Sequence, residues 1–479
     1  MDIQSKLPLY GALIEHVNKK PISFHVPGHK SGQIQQGDGR HFFEQILWLD
    51  VTELTGLDDL HAPEGAILKA ETLLAELYKV QKSFFLVNGS TVGNLAMVLA
   101  ACSEDDTVLV QRNCHKSILN ALILAKVRPV FLEPEYDPAW KTAAGVSFAT
   151  VREAIRLYPN AKALILTHPN YYGMAFDLET IIQEAHLHQI PVLVDEAHGA
   201  HFIIGQPFPA SAVELGADIT VQSAHKTLPA MTMGSFLHFN SELINENKVK
   251  AYLEMLQSSS PSYPIMASLD LARYYLTGYN KTDLAYLLEK VRYFKETLET
   301  IPAIKVLEFP NQFGDSLKIT IQTRCELNGF ELQKRLETEG IYTELADPYN
   351  VLFIFPLLKE GQHYPLKEAG FKIKRTLRDL PLMKQKKDDK LETNKISELA
   401  INFKEMSCLE EHALHIKEAL NCVCAETIIP YPPGVPLLLR GERITSEKLE
   451  QLMSLLASGA KFQGGCLIKQ GMLKVFRTT

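Results

Sequence analysis

Short apolar stretches alternate with amphipathic helical patterns between about residues 68 and 240. The predicted strands are Phe84–Val87, Thr107–Val110, Val130–Leu132, Ala163–Leu166, Val192–Val194, Ile219–Val221 and Ser235–Phe239. Helical patterns lie between most of them, for example at Val92–Cys102, Ser117–Ala125, Thr150–Leu157 and Leu178–His188. Strands that alternate with helices are typical of a parallel sheet covered on both faces. The expected class is therefore α/β, with a mainly parallel seven-stranded sheet whose ligands bind at the carboxyl ends of the strands.

The regions on either side of this alternating part have different patterns. The elements expected there are, in chain order, a helix around Tyr10–Val17, a long helical region from the Ser/Pro-rich stretch Ser258–Pro264 to about Thr300, a strand–helix–strand unit at Leu317–Ile321, Phe330–Glu339 and Val351–Phe355, a helix at Phe403–Leu420 and a turn-rich stretch at Tyr431–Pro436. The part of the chain that follows the alternating region thus contains at least one smaller α+β unit.

A chain of 479 residues is too long for one small hydrophobic core, so several domains are expected. The patterns predict an N-terminal segment at 1–50, a large domain at 51–290, a small α+β domain at 291–383 and a C-terminal domain at 397–479. The charged run Lys384–Lys395 is typical of a solvated linker between the last two.

Composition excludes few functions but helps to predict the cellular compartment. The chain is 46% hydrophobic and 22% charged, as soluble globular proteins are, and its net charge of −7 predicts neither a nucleic-acid nor a membrane partner. Of the seven cysteines only Cys422 and Cys424 lie close together, and one C-x-C pair predicts no metal site. The odd number of cysteines favours reduced thiols. With no signal-peptide pattern and no apolar run of about 20 residues, the chain is expected in the cytoplasm.

Lys226 follows a predicted strand and has polar neighbours. Ser223 and His225 flank it, and both side-chain types can donate hydrogen bonds to a phosphate or a carboxylate. A lone lysine at such a place would be interpreted as a surface side chain. A desolvated lysine among polar groups, however, is the kind of amine that forms imines with aldehydes. Lys226 is therefore a candidate Schiff-base lysine.

Asp195 ends the most apolar stretch of the chain, Pro191–Val194. A carboxylate at the end of a buried strand is costly without a partner. One interpretation is a helix N-cap; the other is an ion pair with the protonated ring nitrogen of pyridoxal phosphate (PLP). The pairing with Lys226 favours PLP. Ala197 is small enough for a flat ring to lie against the backbone, and His198 can contact the cofactor or a substrate carboxylate.

Two further loops follow predicted strands at the same edge. Gly89, Ser90 and Thr91 open a helix after Phe84–Val87, where free N–H groups and hydroxyls suit a phosphate; an ordinary serine N-cap is the alternative. His115 comes just after the next strand, where its ring can stack on a pyridine, although a lone histidine is more often a capping or core residue. These loops would complete a PLP site.

The motifs together resemble the ornithine/lysine/arginine decarboxylase family of PLP-dependent enzymes, which have the aspartate-aminotransferase-like fold (fold type I). The matching stretches are FHVPGHK, GLDDLHAPEG, FFLVNGSTVGN, RNCHKS, VLVDEAHGAH, QSAHKTLPAMTMGS, SSSPSYPIMASLD and YPPGVPLLLRGE. They extend from residue 24 to residue 442 and are highly specific. The chain is most similar to the short, Gram-positive-type members, since no receiver-like domain precedes PGHK.

The resemblance implies a role for each candidate residue. Lys226 would be the Schiff-base lysine and Asp195 the partner of the ring nitrogen, with His115 stacked on the ring and His198 near it. The phosphate would be held by Ser90, Thr91, Ser223 and His225, beside Gly89. The loop Ser258–Tyr263 would reach the active site of a partner subunit, since family members share sites in a homodimer or higher homo-oligomer. Glu442 would lie near the substrate, and Asp347 and Asp59 are further candidates for recognising its basic group.

The implied reaction is α-decarboxylation of arginine, lysine or ornithine, giving CO₂ and an amine for polyamine or diamine formation. An aminotransferase or another PLP lyase of the same fold is an alternative, although such aminotransferases usually have a tyrosine where this chain has His198. A PLP-binding regulatory protein without decarboxylase activity is a second alternative. The chain departs from the family at Arg440, where Pro-Gly-Glu is common, so the substrate and the role of Glu442 stay open.

Overall fold

The structure is a computed structural model that describes residues 3–34, 37–310, 313–383, 395–430 and 436–477. It divides into two compact units. The first contains 1–101, 191–206 and 210–280, and the second contains 102–190, 207–209 and 281–479. Within the described ranges, every helix is too short or too polar to cross a membrane.

Fifteen α-helices are present in the described ranges. They are α1 (Pro8–Asn18), α2 (Gly39–Leu49), α3 (Ala66–Tyr78), α4 (Gly89–Ala101), α5 (Lys116–Ala125), α6 (Phe148–Leu157), α7 (Leu178–Leu187), α8 (Ala224–Thr227), α9 (Glu246–Leu256), α10 (Tyr263–Thr277), α11 (Lys281–Glu299), α12 (Gly329–Thr338), α13 (Leu366–Thr376), α14 (Phe403–Met406) and α15 (Ser446–Ala457). Short 3-10 helices add Ile3–Ser5, Phe202–Ile204, Ile416–Glu418 and Ile468–Gln470.

The strands of the described ranges include all seven predicted from the alternating pattern. They are β1 (Lys82–Leu86), β2 (Thr107–Gln111), β3 (Arg128–Leu132), β4 (Tyr136–Asp137), β5 (Thr142–Ala143), β6 (Ala163–Thr167), β7 (Val192–Asp195), β8 (Ile219–Gln222), β9 (Ser235–Phe239), β10 (Ile304–Val306), β11 (Lys318–Thr323), β12 (Leu345–Ala346), β13 (Asn350–Ile354), β14 (Ile396–Glu398), β15 (Glu411–His415), β16 (Ile429–Pro430), β17 (Phe462–Gln463) and β18 (Met472–Phe476).

In the first unit the strand order is β1-β9-β8-β7. Strands β7 and β8 are parallel, with Asp195 beside Val221, and β9 is antiparallel to both β8 and β1. Every residue of β7, β8 and β9 is buried, as expected for near-continuous apolar strands with both faces covered. A Cβ on Gly93 of α4 would lie 2.8 Å from Val221, so α4 packs closely on the face of the strands that Val221 shares with Asp195.

In the second unit the strand order is β6-β2-β3-β14. Strand β2 is parallel to both of its neighbours, β3 and β6, whereas β14 is antiparallel to β3. A separate antiparallel sheet has the order β10-β11-β13-β12. Strands β11 and β13, with α12 between them in sequence, are the predicted strand–helix–strand unit. The C-terminal part has its own apolar core, formed by buried side chains such as Ile428, Leu438 and Leu452.

The predicted helix Phe403–Leu420 is wrong. The helix starts as predicted, with a capping box between Asn402 and Glu405, but it ends at Met406. Residues Glu411–His415 instead form β15, which pairs with Met472–Phe476 about 60 residues later. This long-range pairing satisfies the backbone groups and outweighs the helical spacing of the apolar residues.

The structure also bears on the predicted long helical region, the charged run and the turn-rich stretch. The long helical region that ends near Thr300 consists of two helices, α10 and α11, with a break at 278–280. Most of the charged run, residues 384–394, lies outside the described residues, as do residues 431–435 of the turn-rich stretch.

Candidate active site

Lys226 lies just beyond the carboxyl end of β8, in the single-turn helix α8. Its Nζ atom is 3.2 Å from Nε2 of His198, which is 5% exposed. The backbone N–H of Lys226 donates to the carbonyl of Ser223 at 3.1 Å, which holds the turn that presents the amine. The lysine is therefore half-buried beside an imidazole rather than on the open surface.

Asp195 is the last residue of β7 and is 2% exposed. Its Oδ2 accepts a hydrogen bond from the Asn94 side chain at 2.8 Å, and its Oδ1 accepts one from the backbone N–H of Ala197 at 3.1 Å. No helix begins at Asp195 within the described residues, so the N-cap interpretation does not apply. The carboxylate is held by two donors at the end of a buried strand.

The loop between β1 and α4 meets the loop after β8. Gly89 opens α4 with a φ of +77°, a conformation that favours glycine, and its N–H donates to the carbonyl of Met233 at 3.0 Å. The Ser223 hydroxyl donates to Oγ of Ser90 at 2.8 Å. Two hydroxyls therefore lie together at the amino terminus of a 13-residue helix, an arrangement that suits an anion.

The remaining predicted phosphate contacts are close to this loop in sequence. Thr91 is exposed in the first turn of α4. His225 is half-buried, and its Nδ1 lies 3.0 Å from the carbonyl of Gly234. The proposed phosphate roles of both residues stay predictions.

His115, in the second unit, is the N-cap residue of α5. Its Nδ1 lies 3.2 Å from the Ser117 backbone nitrogen and 2.8 Å from the Ser117 hydroxyl, and the ring is exposed. The capping interpretation is therefore confirmed as a structural role. Stacking on a cofactor ring is compatible with an exposed imidazole and stays a prediction.

Glu442, the candidate substrate contact, is engaged by protein cations. Both its oxygens accept hydrogen bonds at 2.7 Å from the guanidinium of Arg112, and Lys448 donates to Oε1. Arg112 also pairs with Glu133 at 3.2 Å. Burial by itself raises the pKa of Glu442, but Arg112 and Lys448 outweigh it and hold that pKa below its usual value.

The two other carboxylates considered for the substrate also have protein partners. Asp347, in the second unit, is buried and accepts hydrogen bonds from the Tyr172 hydroxyl and the Asn350 side chain. Asp59, in the first unit, accepts from the backbone N–H of His61 at 2.8 Å. Their roles in recognising a basic group stay predictions.

Arg440, the departure from the family pattern, has partners of its own as well. Its guanidinium donates to Glu411 at 2.6 Å and to the carbonyl of Ala425, and its Cζ lies 4.7 Å from the centre of the Phe476 ring. The charge of this arginine is thus balanced by a carboxylate of β15.

Sequence reasoning missed three residues, each of which holds polar groups within its own unit. Asn94 and Arg112 stand inside the motifs that were recognised, but nothing in their spacing predicted that they hold Asp195 and Glu442. Glu196 is fully buried and accepts three hydrogen bonds at 2.6 Å within the first unit. The donors are the Ser211 hydroxyl, the Ala212 backbone N–H and the Gln222 amide. A carboxylate directly after an apolar strand was the available signal for Glu196.

Two family models match this chain. The model of the Orn/Lys/Arg decarboxylase major domain matches residues 7–315, which is more than half of the chain, and the model of the C-terminal domain of the same family matches residues 392–467. The chain belongs to the Orn/Lys/Arg decarboxylase family. As a member of this family it is an amino acid decarboxylase.

Relatives match the decarboxylase over nearly its full length. A Bacillus subtilis (strain 168) protein that bears the name "Uncharacterized protein YaaO" is 46% identical over 473 residues, covering 98% of both chains. An arginine decarboxylase of the same organism is 33% identical over 471 residues, covering 96% of both chains. The resemblance predicted from the motifs is therefore confirmed.

A solved structure of the Escherichia coli constitutive lysine decarboxylase superposes with a TM-score of 0.80. It covers 99% of this chain and 82% of that chain, at 22% identity. This likeness shows the fold and confirms the predicted α/β class, the PLP-dependent transferase-like fold of type I.

Proposed function

We propose that this protein is a PLP-dependent decarboxylase of a basic amino acid, arginine, lysine or ornithine, whose amine product enters polyamine or diamine formation. The observation that carries the proposal is the placement of Asp195 and Lys226 at the ends of two adjacent parallel strands, with Nζ of Lys226 3.2 Å from His198. The relative named arginine decarboxylase, 33% identical over nearly the whole chain, supports a basic substrate.

The residues of the first unit fit PLP. Asp195 is a buried carboxylate whose two donors leave acceptor capacity for a ring N–H, because a carboxylate has about four lone-pair sites. Ser90 and Ser223 place two hydroxyls at the start of α4 for a phosphate. Lys226 supplies the amine for an aldehyde. We infer that these residues hold the cofactor.

PLP, when bound, supplies the electron sink that lets the bond between Cα and the carboxylate break. The chain's own groups do the rest. The Asp195 carboxylate would keep the proton on the ring nitrogen, and the half-buried Lys226 amine would hold the aldehyde. Nε2 of His198 lies within proton-transfer distance of Nζ of Lys226, so the two groups can exchange a proton, and we infer that together they would return a proton to Cα.

The decisive experiment incubates the PLP-loaded protein separately with arginine, lysine and ornithine and measures CO₂ and the amine. We expect equal amounts of CO₂ and the corresponding amine from one of the three. Keto acid without CO₂ would mean an aminotransferase, and bound cofactor without any turnover would mean a regulatory protein. Lys226→Ala is expected to abolish turnover and the absorbance band of lysine-bound cofactor, whereas Lys248→Ala, an exposed lysine of α9, leaves both unchanged.

We further propose a homodimer in which the loop Ser258–Tyr263 contributes to the partner's site. Large apolar side chains of the N-terminal segment support a covered surface, since Ile22, Phe24 and Phe42 are 88%, 95% and 81% exposed. Sedimentation should give a dimer for the wild type and more monomer for Phe24→Ser combined with Phe42→Ser. A monomeric wild type would overturn this part.

Each of the seven cysteines lies in the described ranges, and none of them forms a disulfide there. Because thiols stay reduced in the cytosol, we infer that the decarboxylase is cytoplasmic. Fractionation of cells followed by immunodetection tests this placement.

A further inference from the structure

A row of buried hydrogen bonds crosses the four strands of the first unit. The Ser83 hydroxyl on β1 lies 2.8 Å from Nδ1 of His238 on β9. Nε2 of the same histidine lies 3.1 Å from Oε1 of Gln222 on β8. Nε2 of Gln222 then donates at 2.6 Å to Glu196, which directly follows β7. All four side chains are at most 1% exposed. The row therefore joins every strand of this part of the sheet through side chains.

The row lies on the face of the strands opposite to Asp195. Successive side chains of a strand point to opposite faces. Asp195 and its register partner Val221 face α4, through Asn94 and Gly93. The next residue on each strand, Glu196 and Gln222, consequently points the other way.

The donors and acceptors of the row run in one direction. Gln222 donates to Glu196, so its oxygen must accept from Nε2–H of His238. Burial lowers the pKa of His238 to about 3, so the ring is neutral and its Nδ1 accepts from the Ser83 hydroxyl. Glu196 thereby determines the orientation of the Gln222 amide, and the amide oxygen in turn selects the tautomer of His238.

The far end of the row is anchored to the segment that carries the candidate site. Glu196 also accepts from the Ser211 hydroxyl and the Ala212 N–H, each at 2.6 Å. Burial raises the pKa of Glu196 to about 8, an effect that these donors and Gln222 oppose. The segment after β7 is thus held from the face opposite to Asp195.

Tyr78 supports the same segment from the middle of the row. It stacks on the His238 ring with 4.1 Å between centroids, and its hydroxyl donates to the carbonyl of Ala200 at 2.6 Å. The row and the segment after β7 therefore share a second connection through α3.

Glu196 and Gln222 are each one residue from a proposed cofactor contact. Glu196 follows Asp195, and Gln222 precedes Ser223. Backbone bonds continue the pairing past the strands, from Glu196 N–H to the Val221 carbonyl at 2.9 Å and from Ser223 N–H to the Ala197 carbonyl at 3.2 Å. A change in the Glu196–Gln222 bond would therefore change the spacing between Asp195 and Ser223.

We propose that Glu196 and Gln222 are positioning residues for the cofactor. Their hydrogen bond on the back face sets the distance between the carboxylate for the ring nitrogen and the hydroxyl for the phosphate, and binding sites of this kind need their contacts placed to within about 0.5 Å. The inference rests on the proposed function, because it concerns how PLP is held. It assigns the two residues no contact with substrate or cofactor.

The test compares the apo forms of the wild type, Glu196→Gln, Gln222→Glu and the double swap Glu196→Gln/Gln222→Glu. Each is titrated with PLP, and both the dissociation constant and the absorbance band of lysine-bound cofactor are recorded. Glu196→Gln turns an amide NH2 toward the N–H of either Gln222 or Ala212, because both oxygens of Glu196 accept hydrogen bonds, and Gln222→Glu sets two carboxyl groups against each other. We expect about 10–100-fold weaker binding and a shifted band in each single variant, as for outer-shell partners of bound groups.

The double swap should recover both readouts, because it restores one amide and one carboxylate to the pair. The amide introduced at position 196 can donate to the carboxylate introduced at position 222 and accept from the Ala212 N–H. That carboxylate in turn accepts from His238. Recovery would show that the hydrogen bond between the two positions, rather than either residue alone, sets the affinity.

A matched control separates positioning from stability. The Ser241 side chain, which is 7% exposed, donates a hydrogen bond to Asp218. Asp218 directly precedes β8, so it lies at the opposite end of that strand from Ser223. Ser241→Ala loses a buried hydrogen bond of the same unit, so it should lower the unfolding temperature without changing PLP affinity or the band. If either single variant does not fold, Glu196→Asp, which withdraws the carboxylate by one methylene group, must show the same loss and shift.

The outcomes distinguish this inference from the proposed function. A wild type that forms no adduct with PLP contradicts the proposed function itself. A wild type that binds PLP, together with single variants of unchanged affinity and absorbance, overturns the positioning role. The positioning role is also overturned if the double swap recovers neither the PLP affinity nor the absorbance band. The same holds if Ser241→Ala loses as much PLP affinity as the single variants.

Discussion

Nε2 of His198 lies 3.2 Å from Nζ of Lys226, at the ends of two parallel strands that are neighbours in the sheet. The two residues are 28 positions apart in sequence. Their separation is within the range in which a side chain can pass a proton to another through a hydrogen bond. In the proposed reaction this histidine assists the lysine in proton transfer.

His198→Phe keeps a flat ring in the buried space and removes both ring nitrogens. Because proton transfer by a positioned side chain contributes about 10²–10⁴-fold to rate, we expect kcat to fall by at least the lower value. KM and PLP affinity should change little. Steady-state kinetics of amine formation measure this, with His188→Phe at an exposed histidine as the control. An unchanged kcat would remove His198 from the mechanism.

Glu442→Gln breaks a buried ion pair with Arg112, whose side chains are 8% and 6% exposed. Removal of the Glu442 carboxylate leaves Arg112 with Glu133 and takes a carboxylate partner from Lys448, so the free energy of unfolding should fall by up to about 3–5 kcal/mol, the value for a buried charge that loses every partner. Urea unfolding of the apo-protein measures it. The control Glu153→Gln breaks the exposed pair with Arg156, which solvent screens, and should cost much less. Equal stability of the two variants would contradict the assignment.

Gly93→Ala tests the close packing of α4 on the strands. The added Cβ would lie 2.7 Å from Leu86 and 2.8 Å from Val221, and overpacking of this kind costs about 1–3 kcal/mol. Gly11→Ala in α1 is the matched control, since nothing lies within 4 Å of its Cβ. There alanine should stabilise the helix by about 0.5–1 kcal/mol. Thermal unfolding should therefore move in opposite directions for the two variants.

Glu71→Gln tests a buried carboxyl group. Burial raises the pKa of Glu71 from 4.5 to about 8, although the Phe85 N–H donates to it. Between these values the folded protein keeps a proton that the unfolded chain has released, so unfolding free energy falls as pH rises through this window, by up to about 1.4 kcal/mol per pH unit.

In Glu71→Gln this contribution is absent. The variant should gain stability relative to the wild type as the pH rises from about 5 to about 8, as measured by urea unfolding at several pH values. Glu254→Gln, at an exposed glutamate of α9, should parallel the wild type. A Glu71→Gln profile parallel to the wild type would show that Glu71 is ionised throughout.

Much of the first unit was predictable because its local patterns are strong. Continuous apolar runs at Val192–Val194 and Ile219–Val221 form strands wherever both faces are covered, and Asp195 and Lys226 must then follow them at one edge of the sheet. The segment Phe403–Leu420 shows the limit. Its apolar spacing suits a helix, yet Glu411–His415 pairs as a strand with residues that no local pattern connects to it.

The sequence by itself determined which residues are candidates for the chemistry, the family to which the chain belongs and the order of strands and helices along the α/β part, since these depend on residue type and on spacing over a few turns. Only the tertiary structure decided which polar side chains pair. Arg112 pairs with Glu442 across 330 residues. Glu196 pairs with Gln222, Gln222 with His238, and His238 with Ser83. The physical reason is that a buried hydrogen bond depends on distance and direction in space, and several acceptors of equal chemistry were available to each donor along the chain.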